Sequence, residues 1–312
     1  MTVPMHPPAV AAPAADSGRF EWHSYASGAQ GRRYKLYVPG GYDAARPAPL
    51  VVMLHGCTQD PDDLARGTRM NEIAARERAL VVYPEQPATA NALRCWRWFE
   101  PAQQRRDGEE PAAIAGIVRE VMRTHAVDAR RVHVAGISAG GAMALIVAAA
   151  YPELFASVTS HSGVPVGIVA SAEEGWAIMR TGAPDSLDLV GRLRAAVGAP
   201  TRVVPLLVIH GASDNVVSVR NARQTALQWT TAFGLAARPT APSGAATSLE
   251  VAEWGAPNGP AVVRLAVVPA LGHAWSGGSK AGTFTDERGP SAAEMAMAFF
   301  AEHPMPAERR AP

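Results

Sequence analysis

Apolar positions along the chain fall into short continuous runs separated by longer stretches with helical spacing. The run Pro49-Leu-Val-Val-Met-Leu54 has no polar face, the pattern of a strand covered on both sides within a parallel sheet. Further strands are predicted at Leu80 to Tyr83, Arg131 to Ala135, Phe155 to Thr159, Val203 to Ile209, Leu249 to Trp254 and Val262 to Val268. Weak alternation from Phe20 to Ala26, then Arg32 to Val38 closed by Pro39-Gly40-Gly41, predicts an antiparallel hairpin ahead of them. Helical spacing marks Arg69 to Arg78, Glu109 to His125 with Pro111 in its first turn, and Ala139 to Tyr151, stopped by Pro152. It continues in two helices between Ser171 and Gly198 separated by Gly182-Ala-Pro184, then Ser218 to Phe233 and Ser291 to Phe300. Residues 234–244 read as a loop. Alternation of this kind with short links predicts an α/β fold, a mostly parallel central sheet with helices on both faces. One domain over 19–303 is expected, with tails at 1–18, rich in Pro and Ala, and at 304–312.

The window Gly136-Ile-Ser-Ala-Gly140 sits between a predicted strand and a predicted helix. In that setting Gly-x-Ser-x-Gly forms a nucleophile elbow, a tight turn that holds a serine hydroxyl in the open above the sheet. An ordinary serine in a Gly-rich turn would share the bare pattern; the strand–turn–helix placement favours the nucleophile. A serine needs a base and the base an orienting acid, here in the chain order Ser, acid, His. Of the histidines after Ser138, His303 lies in the tail, His161 leaves no room for an acid and His210 precedes the best acid. His273, in the Gly-flanked loop Leu271 to Gly278, remains as the expected base. Asp214 follows a buried strand and is the expected acid, because catalytic groups gather at such strand ends. A helix-capping aspartate is the alternative, although Ser218 is better placed to cap. The oxyanion donors are expected to be the backbone N–H groups of Ala139 and of Cys57, after the strand ending in Leu54-His-Gly56.

Composition narrows the classes. With 48% hydrophobic and 18% charged residues the 312-residue chain can bury a large core, and a formal net charge of +1 gives no footprint for nucleic acid or an anionic membrane. No run is long and apolar enough to read as a membrane span, and the N-terminus lacks the basic and apolar regions of a signal peptide. Two cysteines, Cys57 and Cys95, exclude a disulfide scaffold and leave either one bridge or two buried thiols. No metal or cofactor is expected, and the pattern selects no oligomeric state.

The windows Leu54-His-Gly-Cys-Thr-Gln59, Cys95-Trp-Arg-Trp-Phe99, Ala135-Gly-Ile-Ser-Ala-Gly-Gly141, His210-Gly-Ala-Ser-Asp214 and Gly272-His-Ala-Trp-Ser-Gly-Gly278 together resemble the polyhydroxybutyrate depolymerase-type esterases. These are α/β-hydrolases related to feruloyl and acetylxylan esterases of carbohydrate esterase family one. The resemblance covers roughly residues 20 to 303. It implies an eight-stranded sheet, hydrolysis of a carboxylic ester without a metal, and Ser138, Asp214 and His273 as nucleophile, acid and base. It also implies a Cys57–Cys95 disulfide, in keeping with two cysteines in loops expected to border the site. The resemblance and the bridge favour an extracellular or periplasmic enzyme. Depolymerases of crystalline polymer generally carry a linker and a polymer-binding domain, and neither follows the last predicted helix. Esters of short acyl groups, 3-hydroxybutyrate oligomers or aryl esters are therefore the expected substrates. Feruloyl or acetylxylan esters are the nearest alternative, with peptidase or acyltransferase chemistry on the same fold behind them. A non-catalytic protein binding an apolar ligand is the rival of another class, though a binder has no need of all three triad residues. Trp98 and Trp275 are expected to offer flat apolar walls to the substrate, against the alternative that each packs its own loop. The insertion carrying Trp176 and Met179 either roofs the pocket or packs on the core.

Overall fold

The computed structural model describes residues 18–26, 31–199, 201–238 and 249–307. The expected tails at 1–18 and 304–312, and the loop 234–244, lie largely outside the described residues.

Six parallel strands form the centre: β4 (Leu80–Pro84), β3 (Ala48–Leu54), β5 (Val127–Ile137), β6 (Ser157–His161), β7 (Leu206–Gly211) and β10 (Val263–Val268), neighbours in that order. The hairpin β1 (Arg19–Tyr25) and β2 (Arg32–Val38) joins antiparallel at the β4 edge. At the other edge β9 (Glu250–Trp254) pairs antiparallel with β10, and the two-residue β8 (Ala237–Arg238) with β9. The sheet therefore has ten strands, not the eight implied by the family resemblance, the edge strands making the difference. A separate pair joins β11 (Trp275–Ser276) to β12 (Thr285–Asp286).

The unbroken apolar run of β3 is explained by its two faces. Leu50, Val52 and Leu54 enter one core, with helices α3 (Glu109–Thr124), α4 (Ala139–Ala150) and α7 (Val219–Ala232). Val51 and Met53 enter the other, with α1 (Pro61–Thr68), α2 (Met70–Glu77) and α8 (Ala292–Glu302). The remaining helices, α5 (Ala172–Thr181) and α6 (Leu189–Val197), fill the connection from β6 to β7. α4 is buried along its whole length, which accounts for its almost wholly apolar sequence.

Two boundaries differ from expectation for visible reasons. β7 begins at Leu206 instead of Val203, because Pro205 has no N–H to give the ladder. The helix expected from Arg69 is preceded by α1, where Asp60 caps the N–H of Asp63 and Pro61 opens the first turn; Arg69, at φ 57°, separates the two helices.

Candidate active site

Ser138 stands between β5 and α4 with φ 57° and ψ −121°, a conformation that L side chains rarely adopt. Its N–H donates to the carbonyl of His161 on the neighbouring strand. The flanking glycines are required by space. A Cβ on Gly136 would lie 2.3 Å from the carbonyl oxygen of Gly140, and one on Gly140 would lie 2.1 Å from that of Leu54. Helix and strand can approach this closely only without those side chains, so the turn is forced to be sharp.

The loops that follow β3, β7 and β10 leave the same edge of the parallel strands as this turn. Asp214, after β7, is held from both sides. Its Oδ1 accepts the N–H groups of Val216 and Val217, while Oδ2 lies 2.7 Å from His273 Nδ1 and 3.4 Å from His210 Nε2. Burial alone would raise its pKa, but the hydrogen bonds from His210 and His273 overcome that and hold the carboxyl far below its ordinary range. His210 Nε2 also sits 2.7 Å from the carbonyl of Val217, which can only accept, so Nε2 carries a proton. The sequence treats His210 only as a rejected base; its contact with Asp214 depends on a loop fold that no spacing announces.

Ser138, Cys57 and His273 line one cavity of about 400 Å³. Its walls include Trp98, Phe99, Trp176, Met179, Val216 and Phe284, and none of its described lining residues is Asp, Glu, Lys or Arg. Trp176, Leu93, Phe284 and Val216 at this cavity are also among the most exposed large hydrophobics of the described residues. The mouth is thus as apolar as the interior. Ala139, whose N–H was expected to face an oxyanion, is the first residue of α4 next to Ser138.

Trp98 reaches the cavity, but Trp275 does not. Its side chain is 1% exposed and stacks on the buried ring of His161, with centroids 5.2 Å apart. The expectation that Trp275 forms a substrate wall is corrected: it packs the histidine loop onto the core. His161 Nε2 in turn lies 3.4 Å from the N–H of Ser276, and burial lowers this imidazole's pKa to about 3.

Cys57 and Cys95 form a disulfide at the cavity edge, joining the loops after β3 and β4. The Cys95–Phe99 segment has a second anchor. Glu110, fully buried at the start of α3, accepts the N–H and Nε of Arg97 at 2.8 and 2.7 Å and the amide of Gln86. Burial pushes the Glu110 carboxyl up while Arg97 pulls it down. Gln59 ties the other loop, its Oε1 accepting the N–H of Gly56 and its Nε2 donating to Asp63 and Thr283. Among the described residues no group of three His, Cys, Asp or Glu side chains is placed to hold a metal.

Residues 32–252 match the family Esterase PHB depolymerase. The chain is 33% identical over 205 residues to poly(3-hydroxyalkanoate) depolymerase C of Paucimonas lemoignei, covering 65% of this chain and 49% of that protein. It is 29% identical over 211 residues to feruloyl esterase B of Neurospora crassa, covering 65% of this chain and 70% of that one. It thus spans about half the length of the depolymerase it matches. Among solved structures, an acetyl xylan esterase from Aspergillus awamori superposes with a TM-score of 0.73 at 21% identity, over 90% of this chain and 99% of that one. At that identity the likeness is one of fold.

Proposed function

The chain belongs to the Esterase PHB depolymerase family, and from that premise we propose that it is a serine carboxylic-ester hydrolase using Ser138, His273 and Asp214. The observation that carries this reading is the 2.7 Å contact of His273 Nδ1 with Asp214 Oδ2, at a cavity that Ser138 also lines. An ionised carboxylate only accepts, so Nδ1 carries the proton and Nε2 keeps a lone pair for the serine hydroxyl. Ser138 Oγ attacks the ester carbonyl as His273 takes its proton, and the same proton is returned to the leaving alcohol. Water activated by His273 then hydrolyses the acyl-enzyme. The developing oxyanion is held by the N–H groups of Ala139 and Cys57. In the Gly56–Gln59 loop the other three N–H groups are already taken, by Gln59 Oε1, the Leu93 carbonyl and the Gly56 carbonyl. That leaves Cys57 as the loop's donor.

The uncharged, apolar lining suits short-chain or hydroxyalkanoate esters, 3-hydroxybutyrate oligomers among them. The aromatic share of that lining also admits an aryl acyl group, the reading favoured by the similarity to feruloyl esterase B. The disulfide fits an extracellular or periplasmic location. The test is fluorophosphonate labelling of the folded protein with the adduct located by mass spectrometry, beside kcat/KM for p-nitrophenyl esters, 3-hydroxybutyrate oligomers, methyl ferulate and acetylated xylan. Label on Ser138, and loss of several orders of magnitude in Ser138→Ala, are expected. An unlabelled Ser138 would favour a binding protein.

A further inference from the structure

One face of α5 is turned to the cavity. Ala172, Gly175, Trp176 and Met179 all line it, at the i, i+3, i+4, i+7 spacing of a single helical stripe. Gly175 is unusual there. Its backbone is helical without positive φ, so the conformation does not call for glycine, and mid-helix glycine is less favourable than alanine. Space calls for it instead. A Cβ at 175 would stand 3.3 Å from Trp98 Cη2 and 3.3 Å from Phe99 Cβ, closer than such contacts normally are. The backbone of the Trp98 segment is tied by the Cys57–Cys95 bridge and by Arg97 on buried Glu110, so the contact could be relieved only by turning the indole itself.

We propose that Gly175 and Trp98 together set the width of an apolar slot beside Ser138, and that the slot selects esters carrying a neutral apolar group of several carbons over acetyl esters. This rests on Ser138 being the nucleophile. Two observations give the ligand class: the slot's walls are indole, phenyl, thioether and methyl groups, and no charged side chain lines the described cavity. A cavity of about 400 Å³ is also far larger than an acetyl group needs. Each methylene seated there should raise kcat/KM by roughly fourfold, the equivalent of ~0.8 kcal/mol of burial.

Gly175→Leu should narrow the slot, by its own side chain and by displacing Trp98. Two ester series read the effect: p-nitrophenyl acetate to octanoate varies the acyl group, and methyl, butyl and benzyl acetate vary the alcohol. The expected result is a loss of at least tenfold in kcat/KM for the longer members of one series, with methyl acetate, small on both sides of the ester, affected least. The series that responds identifies the side of the ester in the slot. Gly175→Leu/Trp98→Ala should recover most of the loss. Trp98→Ala alone should shift preference toward longer or bulkier members, which keeps the proposal testable if the leucine variant does not fold. Equal effects on short and long esters, or no change of preference in either variant, would overturn the slot while leaving Ser138 catalysis intact. Hydrolysis that survives in Ser138→Ala would instead remove the catalytic reading beneath it.

Discussion

Asp214 is fixed by four contacts, two through each carboxylate oxygen, and the result is a carboxylate that stays ionised far into acid. A depressed pKa means that the charge is lost only when the pH falls through that low value. The activity profile above about pH 4 should therefore contain no step from Asp214. Asp214→Asn keeps the shape but lets Nδ1 face an amide N–H, favouring the wrong tautomer of His273. A fall on the order of 10⁴ in kcat with KM little changed is expected from steady-state kinetics; a fall below tenfold would exclude tautomer control. Chain order and strand-end placement single out positions 138, 214 and 273 in the sequence, and the structure puts His273 Nδ1 2.7 Å from Asp214 Oδ2 at a cavity that Ser138 also lines. Trp275 was misread because a window locates a residue in a loop but not the direction of its side chain, which here turns inward onto His161.

The elements around the site are joined more tightly than their lengths suggest. The disulfide closes a segment of 38 residues containing α1, α2 and β4. In the chain-entropy treatment such a loop stabilises by about 4 kcal/mol. Cys57→Ser/Cys95→Ser should lower the urea midpoint accordingly, and should reduce kcat as well by releasing the Cys57 N–H; an unchanged kcat would detach the bridge from catalysis. The pairing was readable from two cysteines and a resemblance. α1 was not read, although Asp60 at the cap and Pro61 at the first helical position are a helix-start signal, because the helix is only eight residues long. Likewise the insertion after β6 could have packed only on the core; the helical stripe from Ala172 to Met179 reaches the cavity because Gly175 lets Trp98 approach.

Across the whole molecule, the parallel strands β3 and β4 were legible because burial on two faces leaves them no polar position to find, whereas β5, β6 and β7 also bury polar residues, His133, Ser157, Thr159, His161 and His210 among them. The order of the parallel strands, β4-β3-β5-β6-β7-β10, was not legible, being decided by crossovers that sequence distance does not encode. The same double burial shapes the response to acid. His133 and His161 lie inside, and burial lowers each pKa to about 3, against an ordinary value near 6.5. Below pH 6.5 the unfolded chain binds protons that these folded imidazoles refuse, so stability falls as pH falls, until about pH 3. The slope is about 1.4 kcal/mol per pH unit for each. Urea unfolding at pH 7.5 and 5 should show a loss of about 4 kcal/mol from the pair, and His133→Gln should roughly halve it. Equal stability at both pH values would contradict neutral burial.

The φ of 57° at Ser138 also places the protein between two demands. A non-glycine residue in such a conformation stores roughly 1–3 kcal/mol, and glycine would release most of it, offset by a more flexible unfolded chain. Ser138→Gly should therefore melt a few degrees above the wild type while hydrolysing nothing. A differential scan beside an esterase assay checks both halves. Laboratory evolution that rewards heat resistance alone would then drift toward an inert protein at this one codon, and every useful round would have to keep turnover in the selection.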